Sequence, residues 1–216
     1  MSIAKTRVHL IDSPQHPVRF SYFFGHEPFK STKPNEHGVI PPPQFKSQFI
    51  IGKDHPQVKE IGEAIIEAAK LFWKDKWETM LVAARAKGKI PLLPGEVRNP
   101  GDENSAGKLV LTGNAKGRFS IVETRGGRNV PLTVEDGRPY SGSYGCAIVN
   151  IFGYKKGGGE GISCGIEGVQ HTRHGEAFGG GRVAAPEEFG LVDVGASADA
   201  PPPGAADDGI SSLLGF

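Results

Sequence analysis

Cysteine is scarce in this chain: Cys146 and Cys164 are the only two among 216 residues. Two thiols without CxxC spacing make neither a disulfide framework nor a zinc site, and they read as small buried strand residues. Long apolar runs are missing too. Nothing approaches 18 consecutive apolar residues, and the segment before Asp12 holds no stretch of signal-peptide length. The expectation is a soluble protein without a membrane partner that stays in the cytoplasm. Net charge is nearly absent, at +1. No GxxxxGK[ST], GxGxxG or HExxH spelling occurs. The acids Glu96, Asp102, Glu103 and Glu123 have no metal-ligand spacing, so no metal cluster, cofactor or catalytic residue is expected. His171 and His174, three apart and without a suitable third ligand, read as a surface turn pair.

Glycine and proline are abundant instead, with 31 and 17 residues that together make 48 of 216. That share far exceeds the usual combined value of roughly 12% and describes a chain that turns often. Val18–Phe24 and Phe45–Ile51 carry strand patterning, the second alternating Phe45, Ser47, Phe49 and Ile51 against Lys46, Gln48 and Ile50. Between them Pro28 to Pro43 holds five prolines and reads as an irregular working loop. After Asp54 and Pro56, one face collects Ile61, Ile65, Ala68, Ala69, Phe72 and Trp73, which predicts a helix continuing past Trp77 to a stop at Gly88. Beyond a second loop near 91–107, strands are predicted at 108–113, 118–124, 144–154 and 161–166, with a further one at 169–172. Turns such as Arg125-Gly126-Gly127 separate them. Several short strands and one helix predict a mainly β fold, a small barrel or sandwich.

The near-zero net charge hides an asymmetry. All 25 Lys and Arg lie at or before Arg182, while 6 of the 24 acids follow it, so residues 1–184 carry +7 and residues 185–216 carry −6. The last segment, with Ala200-Pro-Pro-Pro-Gly, is too poor in apolar residues to fold on its own and is expected to be a disordered acidic tail. Its tip, Asp207-Asp208 followed by Leu213, Leu214 and Phe216, has the character of a docking peptide.

In the body, cations interleave with aromatics: Arg19 to Phe24, Phe29-Lys30, Phe45-Lys46, Lys116 to Phe119, and Phe152 to Lys156. Single-stranded nucleic acid requires both, cations along its phosphates and flat rings against its bases. Strand phase sharpens the pattern. In 144–154, Gly145, Ala147, Val149, Ile151 and Gly153 form a small apolar face suited to a barrel interior, which turns Asn150, Phe152 and Tyr154 outward. The same rule sets Arg118, Ser120 and Thr124 opposite Phe119 and Ile121.

Five phrases carry a family resemblance: Gly38-Val-Ile-Pro-Pro-Pro-Gln44-Phe45, Pro91-Leu-Leu-Pro-Gly-Glu96, Tyr140-Ser-Gly-Ser-Tyr144-Gly-Cys146, Gly161 to Gln170, and Arg173-His-Gly-Glu176 to Gly181. Their order resembles the bacteriophage single-stranded DNA-binding proteins. The resemblance implies an OB fold, a five-stranded barrel with one long helix and extended loops over 1–184, followed by the flexible acidic tail 185–216. It implies coating of single-stranded DNA during phage replication and recombination in the host cytoplasm. It further implies a tail that competes for the groove and recruits replication proteins such as a polymerase or helicase-primase, with self-association as a further expectation. The expected groove residues are Lys30, Lys53, Lys108, Lys116, Arg118, Tyr144, Phe152, Tyr154, Lys155 and Arg173, with Asp207, Asp208 and Phe216 docking partners. A phage structural or assembly β-domain is the alternative.

Overall fold

The computed structural model describes residues 6–34, 38–156 and 159–178. In chain order the strands are β1 (Arg7–Leu10), β2 (Val18–Phe29), β3 (Gln44–Ile51), β4 (Leu92–Pro94), β5 (Leu109–Ala115), β6 (Ser120–Arg125), β7 (Arg128–Pro131), β8 (Tyr144–Lys156) and β9 (Gly159–Arg173). The helices are α1 (Gln57–Trp73), α2 (Trp77–Ala86) and the single turn α3 (Gly95–Arg98). The fold is mainly β, as the turn-rich composition requires.

Five strands close a ring in the order β2, β3, β5, β9, β8 and back to β2. Its antiparallel pairs are broad: β3 matches β5 from Phe45↔Ala115 to Ile51↔Leu109, and β8 matches β9 along nearly its whole length. Two seams are narrow. β5 meets β9 in parallel at Asn114↔Gly165, and β2 meets β8 at Arg19↔Tyr144. The result is the five-stranded OB arrangement, opened at two joints rather than a smooth cylinder. β1 adds to the outside of β8, and the β6–β7 hairpin adds to β9. Gly126 and Gly127 both hold positive φ at the tip of that hairpin, as a two-residue type I′ connection demands.

The interior is filled by Val8, Leu10, Val18, Phe20, Phe49, Ile51, Leu111, Val149, Ile151 and Cys164, all essentially inaccessible. α1 closes it with Ile61, Ile65, Ala68 and Ala69 of the expected stripe and with Ala64 besides, while Phe72 and Trp73 are half-buried. The buried His55 begins the helix. Its Nδ1 accepts the Gln57 N–H at 3.3 Å while its Nε2 donates to the Ile11 carbonyl at 3.2 Å, an arrangement only the neutral ring can make. Burial accordingly lowers its pKa.

Several expectations are corrected. The helix does not run unbroken to Gly88: Lys74 adopts φ +49° and a 3-10 turn at Lys74–Lys76 separates α1 from α2. Gly88 does hold positive φ beyond α2. The proline-rich loop is shorter than Pro28–Pro43 suggested, because β2 extends to Phe29, where the Lys46 ammonium lies 3.3 Å from the Phe29 ring centre. Residues 169–172 are not a separate strand but the continuation of β9. His171 is no surface turn residue. It is buried within β9, its ring 5.0 Å from that of His174 and its Nδ1 3.9 Å from Glu123 Oε1. Cys146 and Cys164 are free and buried, as expected. The boundary at 184 and the tail with Asp207, Asp208 and Phe216 lie outside the described residues.

Candidate nucleic-acid interface

Alternation along β3 and β5 sends Phe45, Phe49 and Leu111 inward and turns Lys46, Gln48, Thr112 and Asn114 to the outer face. Register then sets Lys46 opposite Asn114 and Gln48 opposite Thr112, a polar patch built from two cross-strand pairs. The β8–β9 hairpin rises beside it. Tyr154 lies opposite Gly161 and Phe152 opposite Ser163, next to Gly165. A methyl group at Gly161 would stand 3.0 Å from the Tyr154 ring, and one at Gly165 would stand 3.2 Å from the Phe152 ring. Both rings therefore rest on glycines, and Phe152 remains 43% exposed.

Between patch and hairpin runs a cleft of about 720 Å³, walled by Lys89, Ile90 and Pro91, by Arg98 of α3, by Lys116 after β5, and by Phe152, Tyr154, Lys156 and Ser163. A second cleft of about 320 Å³ continues it, sharing Thr112 and Asn114 and reaching Tyr22, Lys46, Gln48 and Asn99. The two are lined by five cations, Lys46, Lys89, Arg98, Lys116 and Lys156, and by no carboxylate. Arg98 is anchored by donating from Nη2 to the Ile90 carbonyl at 2.6 Å, while its buried Nε has no partner among the described residues. Buried Thr112 Oγ1 is likewise unpartnered. Burial lowers the pKa of Lys46 and of Arg98, the cost of holding a cation against a protein wall. Such a surface suits a polyanion carrying flat apolar groups.

Of the residues singled out from sequence, the structure brings Lys116, Phe152 and Tyr154 together in the larger cleft. Lys155 is exposed beside it on the hairpin, and Lys30 is exposed directly after β2. Lys53 and Arg118 are exposed on other connections. Tyr144 and Lys108 line a different cleft, about 270 Å³, with Arg19 and His55. There the Tyr144 ring has Arg173 at 4.1 Å and Arg19 at 5.4 Å, and Arg173 is paired with the buried Asp12 carboxylate. Lys108 donates to the Asn104 carbonyl at 3.1 Å. Sequence reasoning set Lys46 and Gln48 on the face of β3 opposite Phe45 and Phe49 but did not carry them to the groove, and it missed Thr112 and Asn114, which the same alternation finds when applied to β5.

Gly161-Ile162-Ser163-Cys164-Gly165 spells GxSxG, the signature of a hydrolase nucleophile elbow. It falls in the middle of β9 with no strand-to-helix turn, so Ser163 is a cleft-wall hydroxyl without that context. Among the described residues no group of three His, Cys, Asp or Glu is placed to hold a metal, and no helix is long and apolar enough to cross a membrane.

The chain is similar to protein p50 of Acyrthosiphon pisum secondary endosymbiont phage 1, with 47% identity over 167 residues, covering 76% of this chain and 85% of p50. Its fold is similar to the single-stranded DNA-binding protein of bacteriophage Enc34 in complex with ssDNA, at TM-score 0.63 and 15% identity, covering 83% of this chain and 96% of that one. The same Enc34 protein in a second structure gives TM-score 0.61 and 15% identity, covering 85% and 93%. Residues 14–200 match the family model described as Enterobacter phage Enc34, ssDNA-binding protein, and the chain belongs to that family.

Proposed function

We propose that this protein binds single-stranded DNA along the two clefts on the outer face of β3 and β5, without catalysis and largely without regard to sequence. The observation that carries the reading is the lining itself: five cations, two presented aromatic rings on the hairpin, and no carboxylate. OB folds bind oligonucleotides on this strand face and on the loops that flank it. Lys46, Lys89, Arg98, Lys116 and Lys156 meet phosphates, and Phe152 and Tyr154 stack on bases. Lys30, on the β2–β3 connection, and Lys155, at the β8–β9 hairpin, extend the track. Tyr144, Arg173 and Lys108 contribute less, because their partners already occupy them, and Lys53 and Arg118 act at most as peripheral charge.

The acidic segment 185–216 competes for the same cations until DNA displaces it, and its Asp207, Asp208 and Phe216 then become available to replication proteins. In this reading the protein coats exposed strands during phage DNA replication and recombination in the host cytoplasm. A fluorescent oligothymidine titrated by anisotropy at two salt concentrations tests the central claim. Tight, salt-weakened binding is expected, and absence of binding in dilute buffer removes the reading in favour of an assembly role.

A further inference from the structure

β2 carries one residue too many where it passes β3. Ser21 pairs with Gln48 and Phe24 pairs with Lys46, so three steps on one strand match two on the other. The extra residue is absorbed at Tyr22, which holds φ +46°. In a bulge of this kind a left-handed residue is ordinarily glycine, since any Cβ is crowded there and a bulky side chain adds nothing to relieve it. Burial does not compensate: Tyr22 is 51% exposed. Its neighbours Phe20 and Phe23 stack on each other, with Phe20 also edge-on to Phe49 and Phe23 to Phe119, yet the Tyr22 ring has no aromatic or hydrogen-bonding partner among the described residues. It stands instead at the wall of the smaller cleft. Strained backbone that displays an unpartnered ring is the pattern of a ligand clamp.

The cleft beside it has a prepared polar wall. Gln48 Nε2 donates to Asn99 Oδ1 at 3.2 Å, and Asn99 Nδ2 donates to Gln48 Oε1 at 2.7 Å. The two carboxamides lock one another, and each retains one N–H and one oxygen lone pair for a visitor. Because they are held in place beforehand, little side-chain freedom is lost when something binds. A donor and an acceptor side by side can meet the edge of any base, and the 320 Å³ volume is at the small end of ligand pockets.

We propose that Tyr22 is the stacking wall of a single-nucleobase subsite in this smaller cleft, with the Gln48–Asn99 pair as its polar edge and Lys46 at the flanking phosphate. The proposal rests on the reading that these clefts bind single-stranded DNA, and it adds that Tyr22 is kept at a cost to stability. That cost makes the test two-sided. In the full chain, Tyr22→Gly should bind oligothymidine roughly 5- to 140-fold more weakly, the loss expected for one stacked base. It should bind an abasic oligomer of equal length and charge as the unaltered protein does. Its melting temperature should rise by about 2 to 4 °C, since glycine accepts the bulge conformation. Tyr22→Phe, which keeps the ring, should retain the affinity of the unaltered protein. Undiminished oligothymidine binding by Tyr22→Gly overturns the subsite, as does an equal loss on both oligomers. A lowered melting temperature also overturns it, because the ring would then be a prop for β2. If the unaltered protein ignores both oligomers, the failure lies with the DNA-binding reading itself.

Discussion

The salt dependence of binding can be worked from the cleft lining before any complex is seen. Each phosphate neutralised on a single strand contributes about −0.7 to the slope of log affinity against log salt. With all five lining cations engaged, the slope is about −3.5, and affinity falls roughly 130-fold between 50 and 200 mM salt. Replacing exposed Lys116 and Lys156 by Gln removes two contacts, so the slope becomes about −2.1 and the same change in salt costs only about 20-fold. The control is Lys59→Gln together with Arg128→Gln, an equal loss of exposed charge from the first turn of α1 and the tip of the β6–β7 hairpin, neither residue lining either cleft. Lys59 sits on α1 paired at 3.9 Å with Glu63, and its side chain is 87% exposed. Screening over about 10 Å at 0.1 M salt confines charge effects to near neighbours, so the control should leave the slope where it was. Anisotropy titrations of a labelled oligothymidine at four salt concentrations measure all three proteins. Equal slopes for the cleft and control variants would refute local phosphate contact and leave only a net-charge effect.

Three further outcomes are expected. Gly153→Ala puts a methyl 2.1 Å from Phe72 Cγ, near the root of that side chain, so α1 must shift off β8; overpacking of this sort costs about 1–3 kcal/mol, read as a lower urea midpoint. His55 and His171 both have pKa values lowered by burial, with His174 adding to the effect at His171. Below about pH 6.5 the unfolded chain takes up protons that the folded chain refuses, so stability falls as pH drops from there toward the folded values. Urea melts at pH 7.5 and 5.5 should show this, with a shallower dependence in His171→Phe, and identical midpoints would refute it. Deleting residues 185–216 should tighten oligothymidine binding at low salt, and unchanged affinity would show that the segment does not compete.

Much of the barrel was legible because one rule, strand alternation, governs it. Gly145, Ala147, Val149 and Ile151 are buried while Phe152 is exposed, as the phase of β8 dictates. Cys146 shares the strand phase of Asn150 and Phe152 and is nevertheless buried, as expected of a lone thiol, because β1 and its following turn cover it: its Sγ accepts the Asp12 N–H. The strands β1, β4 and β7 escaped notice because three or four residues carry too little periodicity, and pairing with β8, β5 and β6 is what extends them. The break at Lys74 was invisible for a related reason, since the apolar stripe resumes beyond it at Trp77 and Leu81. For the site, sequence could identify cations and rings but not their company. Lys46 meets Asn114 only through the β3–β5 register, and Arg173 is drawn away by Asp12, a partner 161 residues distant.

Glycine connects the composition to the surface chemistry. A glycine inside a strand weakens it, through lost entropy and a missing side chain, so many of them in a β protein require a return. Here the return is room for larger groups. Gly153 admits Phe72 of α1, Gly113 admits Ile166, and Gly145 admits Phe20, each at a separation that a Cβ would close to less than 3 Å. On the outer face the same device lays Tyr154 over Gly161 and Phe152 beside Gly165. Inside the barrel a ring so accommodated is covered by the core; outside, one of its faces is left to solvent. The small-against-large pairing that closes the core thus also leaves flat apolar faces next to Lys116 and Lys156. Tyr22 departs from this economy, because it is a large residue at a position whose backbone favours glycine. A fold optimised for stability alone would exchange Tyr22 for the glycine its φ angle invites.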